Sequence, residues 1–182
     1  MRDVSIQIVP LRNRRGQRQL SDELLRDLWR VIVREGKVET TFYAGGVVTP
    51  EDFHEFLADA SRLVSLAVEQ PSGRLRAAAW LTNITDGSAF AHYVTLGGFR
   101  RDVGRAVLEQ WAGLTDVEGR PLVQRLLGVT PEANRPAVRL LQLLGFTVLG
   151  AIPDYCRTPY LGGRCGGVIS YRTLSPSQEK GT

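Results

Sequence analysis

The sequence predicts an α/β (α+β) domain with a mixed, mostly antiparallel central sheet of about six to seven strands and helices on both faces. Three observations lead there. Period-two apolar stretches alternate along the chain with apolar stripes at helical spacing. The middle of the chain strings three strand-like segments together through short turns, which makes an antiparallel meander. The length of 182 residues, 43% of them hydrophobic, suits one buried core.

The elements follow in order. Val4-Ser5-Ile6-Gln7-Ile8-Val9 alternates and stops at Pro10, a strand, and Arg12, Arg14, Arg15 and Arg18 then crowd a polar loop. Ser21-Asp22-Glu23 opens a helix whose stripe is Leu24, Leu25, Leu28, Trp29 and Ile32. Thr49 caps a second helix with Pro50 in its first turn and Phe53, Phe56, Leu57, Ala60 and Val64 on one side. The stretch from Thr40 to Val48 between them is unpatterned, either a connector or a mobile loop beside a cleft. Leu63–Glu69, Leu75–Leu81 and Ala89–Leu96 form the meander, turning at Pro71-Ser72-Gly73 and Asp86-Gly87-Ser88. From Arg101 the period becomes helical, with Val103, Val107, Trp111 and Leu114 on one face. Leu122–Val129 reads as a strand and Arg135–Leu144 as a short helix closed by Gly145. Phe146–Leu149 and Val168–Tyr171 are the last two strands, joined by a long connector that includes Tyr155–Arg164. Residues 1–174 make a single domain, and 175–182 read as a flexible tail.

Several classes are excluded. No apolar run approaches the ~20 residues of a membrane-spanning helix, and the N-terminus lacks the plan of a secretory signal. Cys156 and Cys165 are too few to staple a secreted scaffold, and with only His54 and His92 beside them they offer no zinc spacing. The expectation is a cytoplasmic protein with free thiols and no metal. The net charge is +4, and Lys37 and Lys180 are the only lysines. Arginine suits flat anions such as phosphate, but genome composition accounts for the bias equally.

Two stretches carry chemistry. Arg100-Arg101-Asp102-Val103-Gly104-Arg105-Ala106 follows a strand through Gly97-Gly98 and opens a helix. Free N–H groups and the positive dipole end make such a junction an anion site. Gly104 would let a ligand approach the backbone, and the arginines oppose the dipole unless an anion is present. A surface helix with solvated arginines is the other reading. The second stretch is Asn134 to Phe146, in which Asn134 caps a helix, binds a peptide-like ligand, or does both.

Together these stretches resemble the GCN5-related N-acetyltransferase (GNAT) family. Arg101-x-x-Gly104-x-Ala106 matches the family's Gln/Arg-x-x-Gly-x-Gly/Ala loop, and Asn134, Ala137, Gly145 and Phe146 match its Asn-x-x-Ala run ending in Gly-Phe. The resemblance implies acetyl-CoA as acyl donor and a primary amine as acceptor. It implies that the backbone of Arg101, Asp102, Val103, Gly104, Arg105 and Ala106 cradles the pyrophosphate. Val94, Thr95 and Leu96 would present backbone to the pantetheine arm and acetyl carbonyl, and Asn134 would contact the cofactor. A splay between Val94–Leu96 and Leu126–Val129 would admit it. It also suggests a homodimer and leaves the acceptor undefined.

One position departs from the family. Where many members place a proton-donating tyrosine, this chain has Leu141, so Tyr155 or Tyr160 is considered as a substitute. For the base, the candidates are His92, Glu69 and Glu132. Each has a structural alternative: a satisfied histidine, an exposed hairpin carboxylate and a helix-start acid. The expected chemistry is direct attack in a ternary complex. The rival is a catalytically silent GNAT-fold binding protein, and nucleic-acid binding through Arg12–Arg18 ranks behind it.

Overall fold

The computed structural model describes residues 4–11, 21–158 and 163–174. Its elements are β1 (Ser5–Leu11), α1 (Asp22–Arg34), α2 (Val38–Thr41), α3 (Pro50–Ala58), β2 (Leu63–Gln70), β3 (Arg74–Thr85), β4 (Ser88–Thr95), α4 (Arg101–Ala112), β5 (Arg125–Pro131), α5 (Arg135–Leu143), β6 (Thr147–Thr158) and β7 (Gly163–Thr173). The helices begin where side chains can satisfy free N–H groups. Ser21 Oγ accepts from Leu24 N at 3.2 Å. Thr49 and Asp52 cap reciprocally, at 3.1 Å and 2.9 Å.

The strands form one seven-stranded sheet in the order β1-β2-β3-β4-β5-β7-β6. Every neighbouring pair is antiparallel except β4 and β5, which run parallel. Period-two alternation divides β3 between two cores: Ala77, Ala79 and Leu81 face α4, whereas Ala78 and Trp80 face α1 and α3. On the first side Val103, Val107 and Trp111 seat α4 on the sheet, and on the second Leu28, Ile32 and Phe53 pack against Val64, Leu66 and Trp80. A buried polar link also ties α4 to the sheet. Ser65, 2% exposed, donates to Gln110 Oε1 at 2.9 Å and accepts from Trp111 Nε1 at 3.3 Å.

The sheet opens in the middle. β4 and β5 pair only through Ser88↔Arg125, Ala89↔Leu126 and Phe90↔Leu127. Beyond that point β4 stays paired to β3 as far as Thr95, and β5 to β7 as far as Pro131. The strands therefore part, and the expected splay is present from Gly128 onward, whereas Leu126 and Leu127, expected within it, still pair with β4.

Some expectations need correction. The segment read as unpatterned loop begins within a one-turn helix, α2. β5 starts at Arg125 rather than Leu122, because Val123 is apolar for packing, 1% exposed, while Gln124 and Arg125 donate to Gly87 O. β6 and β7 are much longer than the apolar runs suggested, and they absorb Tyr155–Thr158 and Gly163–Arg164 from the supposed connector. β6 is an exposed edge strand, so burial imposes little apolar alternation on it, and its register shifts after Val148 and Ile152. The arginine-rich loop, Tyr160 and the tail lie outside the described residues.

Ser65→Ala is expected to lower unfolding stability by about 1–3 kcal/mol, because Trp111 Nε1 and Gln110 Oε1 lose their buried partner. Urea unfolding with an unchanged m-value checks this.

Candidate active site

The open wedge between β4 and β5 leads into two cavities. The outer one, about 530 Å³, is lined on its rim by Lys37, Thr95, Phe99 and Arg139. The inner one, about 110 Å³, takes Trp80 and His92 from the α1–α3 side of the sheet and Val107 and Leu141 from the α4–α5 side. It therefore passes through the sheet at the wedge. Thr40, Thr41, Tyr93, Asn134, Ala137 and Leu140 line both cavities and mark their junction.

The backbone of β4 lies along this junction. Leu96 N–H donates to Arg76 O, so antiparallel alternation sends the amides of Val94 and His92 to β3 and those of Ala91, Tyr93 and Thr95 toward the wedge. With β5 turned away beyond Phe90, that edge has strand-forming groups to offer a ligand. Val94 and Thr95 line the outer cavity, but Leu96 is 0% exposed and belongs to the α1–α3 core.

The turn into α4 is built for charge. Gly97 and Gly98 have φ of 69° and 90°, a region that glycine adopts freely. Gly97 N–H donates to the Glu35 carboxylate, 2.8 Å from each oxygen, so this amide is engaged by an internal anion. A Cβ on Gly97 would come within 3.0 Å of Arg76 Nη1 and 3.1 Å of Arg74 Nη2. Arg100, the N-cap of α4, supplies no side-chain cap. Its guanidinium instead bridges Glu69 and Asp102, at 2.5 Å from each. The mismatch between the arginines and the helix dipole is thus partly answered by carboxylates of the chain itself. Arg101 and Arg105 remain exposed. Arg74 and Arg76 belong to this anion-attracting rim although the motif does not contain them. Their only sequence signal is the hairpin pairing that brings Arg76 level with Leu96.

Gly104 lines the inner cavity and also has a packing reason that the motif does not reveal. A Cβ there would lie 2.5 Å from Leu144 Cδ2, so its lack of a side chain admits Leu144 between α4 and α5. Val103 is likewise core, 1% exposed. Asn134 caps α5, its Oδ1 accepting from Ala137 N at 3.3 Å, while lining both cavities.

The expected catalytic groups divide. His92 lines the inner cavity, stacked on Trp80 with ring centroids 5.5 Å apart, and its Nε2 lies 3.0 Å from Thr82 Oγ1. Burial, aided by the charge of Arg62, pushes its pKa down to about 4, so the ring is neutral at pH 7. Glu69 lines neither cavity. It pairs with Arg76 at 2.7 Å and with Arg100, and the Arg76 hydrogen bonds in particular hold its carboxyl below the usual range. That makes it an anchor of the turn. Tyr155 is 53% exposed, packs on Gly167 and also lines neither cavity. Glu132 is exposed, with its carboxylate against Gly166.

Two tyrosines escaped the sequence reading. Tyr43, from the loop after α2, donates to Val129 O at 3.4 Å across the inner cavity, and burial pushes its phenol up to about 12. Tyr93 reaches both cavities, and its hydroxyl is buried without a partner. Neither stands in a motif. Tyr93 is one position beyond His92 in an alternating strand, where parity alone decides which face it takes.

No family model matches the sequence, and no curated protein matches it. Solved structures do match. The chain superposes on a ribosomal-protein-S5-alanine acetyltransferase from Vibrio fischeri with a TM-score of 0.67 at 13% identity, covering 93% of both chains. It superposes on a spermidine N-acetyltransferase from Vibrio cholerae, in complex with CoA and spermine, with a TM-score of 0.64 at 15% identity, covering 92% of this chain and 96% of that one. A GNAT-family acetyltransferase from Streptococcus pneumoniae matches with a TM-score of 0.62 at 16% identity, covering 93% of this chain and 100% of that one. The chain has the fold of the GCN5-related N-acetyltransferases. No helix among the described residues is long and apolar enough to cross a membrane.

The histidine generates a pH test. Its folded pKa of about 4 lies below the ordinary 6.5. As pH falls through that window the unfolded chain takes up a proton that the folded chain refuses, so stability is full above the window and declines within it. The wild type is expected to lose about 3 kcal/mol more than His92→Gln between pH 7 and pH 4. Denaturant unfolding of both proteins across that range checks it.

Proposed function

We propose that the protein is an acetyl-CoA-dependent N-acetyltransferase that moves an acetyl group to a primary amine by direct attack in a ternary complex. The observation that carries this reading is the early end of the β4–β5 ladder, which leaves strand-like backbone facing two connected cavities. In this reading the pantetheine arm adds to the edge of β4 at Tyr93 and Thr95 as a strand would. Its amides satisfy groups that β5 leaves open, and Asn134 faces it across the wedge. The phosphates lie toward the α4 turn and the outer cavity, where Arg74, Arg76, Arg101, Lys37 and Arg139 supply positive charge. Coenzyme A carries a pyrophosphate and a further phosphate, which suits so basic a rim.

The acceptor enters the inner cavity from the side of Tyr43, Trp80 and His92. Among the described residues, none that lines this cavity is acidic or cationic. An amine buried there in its free-base form meets apolar and aromatic walls. A second ammonium on the same molecule would be desolvated without a counter-charge. The reaction then rests on orientation: the amine lone pair is held against the thioester carbonyl, whose oxygen takes up charge beside backbone N–H groups of β4. This uncharged lining favours a monoamine acceptor over a polyamine such as the one named for one of the structures the chain resembles.

Calorimetric titration with acetyl-CoA tests the reading, followed by a thiol-release assay against a panel of amines. Binding in the micromolar range with amine-dependent release supports it; no binding at millimolar acetyl-CoA overturns it. Lys37→Ala/Arg139→Ala is expected to weaken acetyl-CoA binding by about 10-fold or more at low salt without loss of fold. In the same assay an alkyl monoamine is expected to exceed the diamine of equal chain length by about 10-fold or more in kcat/KM.

A further inference from the structure

We infer that the Tyr93 hydroxyl is the group that protonates the departing CoA sulfur. The inference rests on the acetyl-transfer reading and deepens it. The helix position facing the wedge, Leu141, lines the inner cavity and has no proton to give. Several donors around that cavity are committed elsewhere: Tyr43 to Val129 O, Trp111 Nε1 to Ser65 Oγ, Thr40 Oγ1 to Lys37 O. His92 Nε2 is engaged with Thr82. Tyr93 differs. Among the described residues only two buried side-chain nitrogen or oxygen atoms lack a hydrogen-bond partner, Tyr93 Oη and His54 Nε2. The latter lies 3.3 Å from an Asp22 carboxylate oxygen, in a groove between α1 and α3, and lines neither cavity of the wedge. A buried hydroxyl without a partner is costly to keep unless a ligand completes it. This one belongs to a residue that lines both cavities and whose main chain faces the wedge.

The protonation state agrees with the role. Burial, and then the negative charge of Asp102, raise the phenol above its ordinary range, so the proton is in place when the donor binds. The same desolvation raises the basicity of a thiolate expelled beside it, which offsets the weakness of the acid. The step balances. The amine nitrogen forms its bond to the carbonyl carbon, and the carbon–sulfur bond breaks. Tyr93 gives its proton to sulfur, and the proton shed by the acylated nitrogen restores the phenol. The products are the amide and free CoA thiol, and Tyr93 is unchanged.

The test uses the full-length protein with acetyl-CoA and an amine accepted by the wild type. Tyr93→Phe is expected to lower kcat by about 10–100-fold, with the Kd and KM for acetyl-CoA within about 2-fold of wild type. Its thermal stability should be no lower than wild type, because only an unpartnered hydroxyl is removed. Tyr93→Phe/Leu141→Tyr, which offers a phenol from the opposite wall of the cavity, is expected to recover about 10-fold of the lost kcat. A Tyr93→Phe protein with full kcat overturns the assignment alone, as does one whose loss lies in acetyl-CoA affinity. A wild type that binds acetyl-CoA but releases no thiol with any amine overturns the transfer reading and the assignment with it.

Discussion

The structure depends on a parallel ladder that stops after three residue pairs. β4 is bound to β3 as far as Thr95, and β5 is bound to β7 as far as Pro131, so each keeps the course of its own half-sheet. A continuous sheet would satisfy its backbone internally and present nothing. Here the wedge exposes main-chain donors and acceptors between two packed cores, where leaving them unmet is expensive. The cavities, the position of Asn134 at the start of α5, and the placement of the α4 turn all follow from that divergence. It separates the molecule into a meander carrying the turn and a hairpin-bearing half carrying α5.

Charge organises the rim of the wedge. Glu69 joins Arg76 on β3 to Arg100 at the head of α4, Asp102 holds the other side of Arg100, and Glu35 occupies the Gly97 amide. The turn is therefore assembled before any ligand arrives. On the acetyl-transfer reading, an incoming phosphate would meet arginines already held in place, with little ordering left to do, and would compete with Glu35 for the amide of Gly97.

The elements legible in the sequence were those whose burial forces a pattern. Ala77 to Leu81 alternate because β3 is packed on both faces, and Leu28, Ile32, Val103 and Val107 repeat at helical spacing because each helix buries one stripe. β6 is exposed over most of its length, so nothing forces alternation there and its extent was missed. Asn134 and the α4 turn could be found because their geometry demands particular residue types. At Gly104 the sequence motif does not reveal the packing requirement, since a packing glycine and a ligand-approach glycine look alike until Leu144 is seen against it. Arg74, Arg76, Tyr43 and Tyr93 were illegible because strand pairing and face parity, not local spacing, bring them to the wedge.

The suppressed basicity of His92 bears on how the site handles protons. A histidine stacked on Trp80 and bonded to Thr82 is held neutral by its surroundings, and a group with a pKa of about 4 is a poor acceptor for a proton from an alkylammonium. Glu69 is committed to arginines, and Tyr155 and Glu132 stand outside the cavities. On the acetyl-transfer reading, the amine must then lose its first proton to water on the way in, because a neutral cavity admits the free base and rejects the cation. Selection by desolvation replaces a dedicated base. What remains is the second proton, released once the nitrogen is acylated and strongly acidic, and for that a weak acceptor inside the cavity suffices. An uncharged wall with a buried, unpartnered hydroxyl, that of Tyr93, is the arrangement such a division of labour requires.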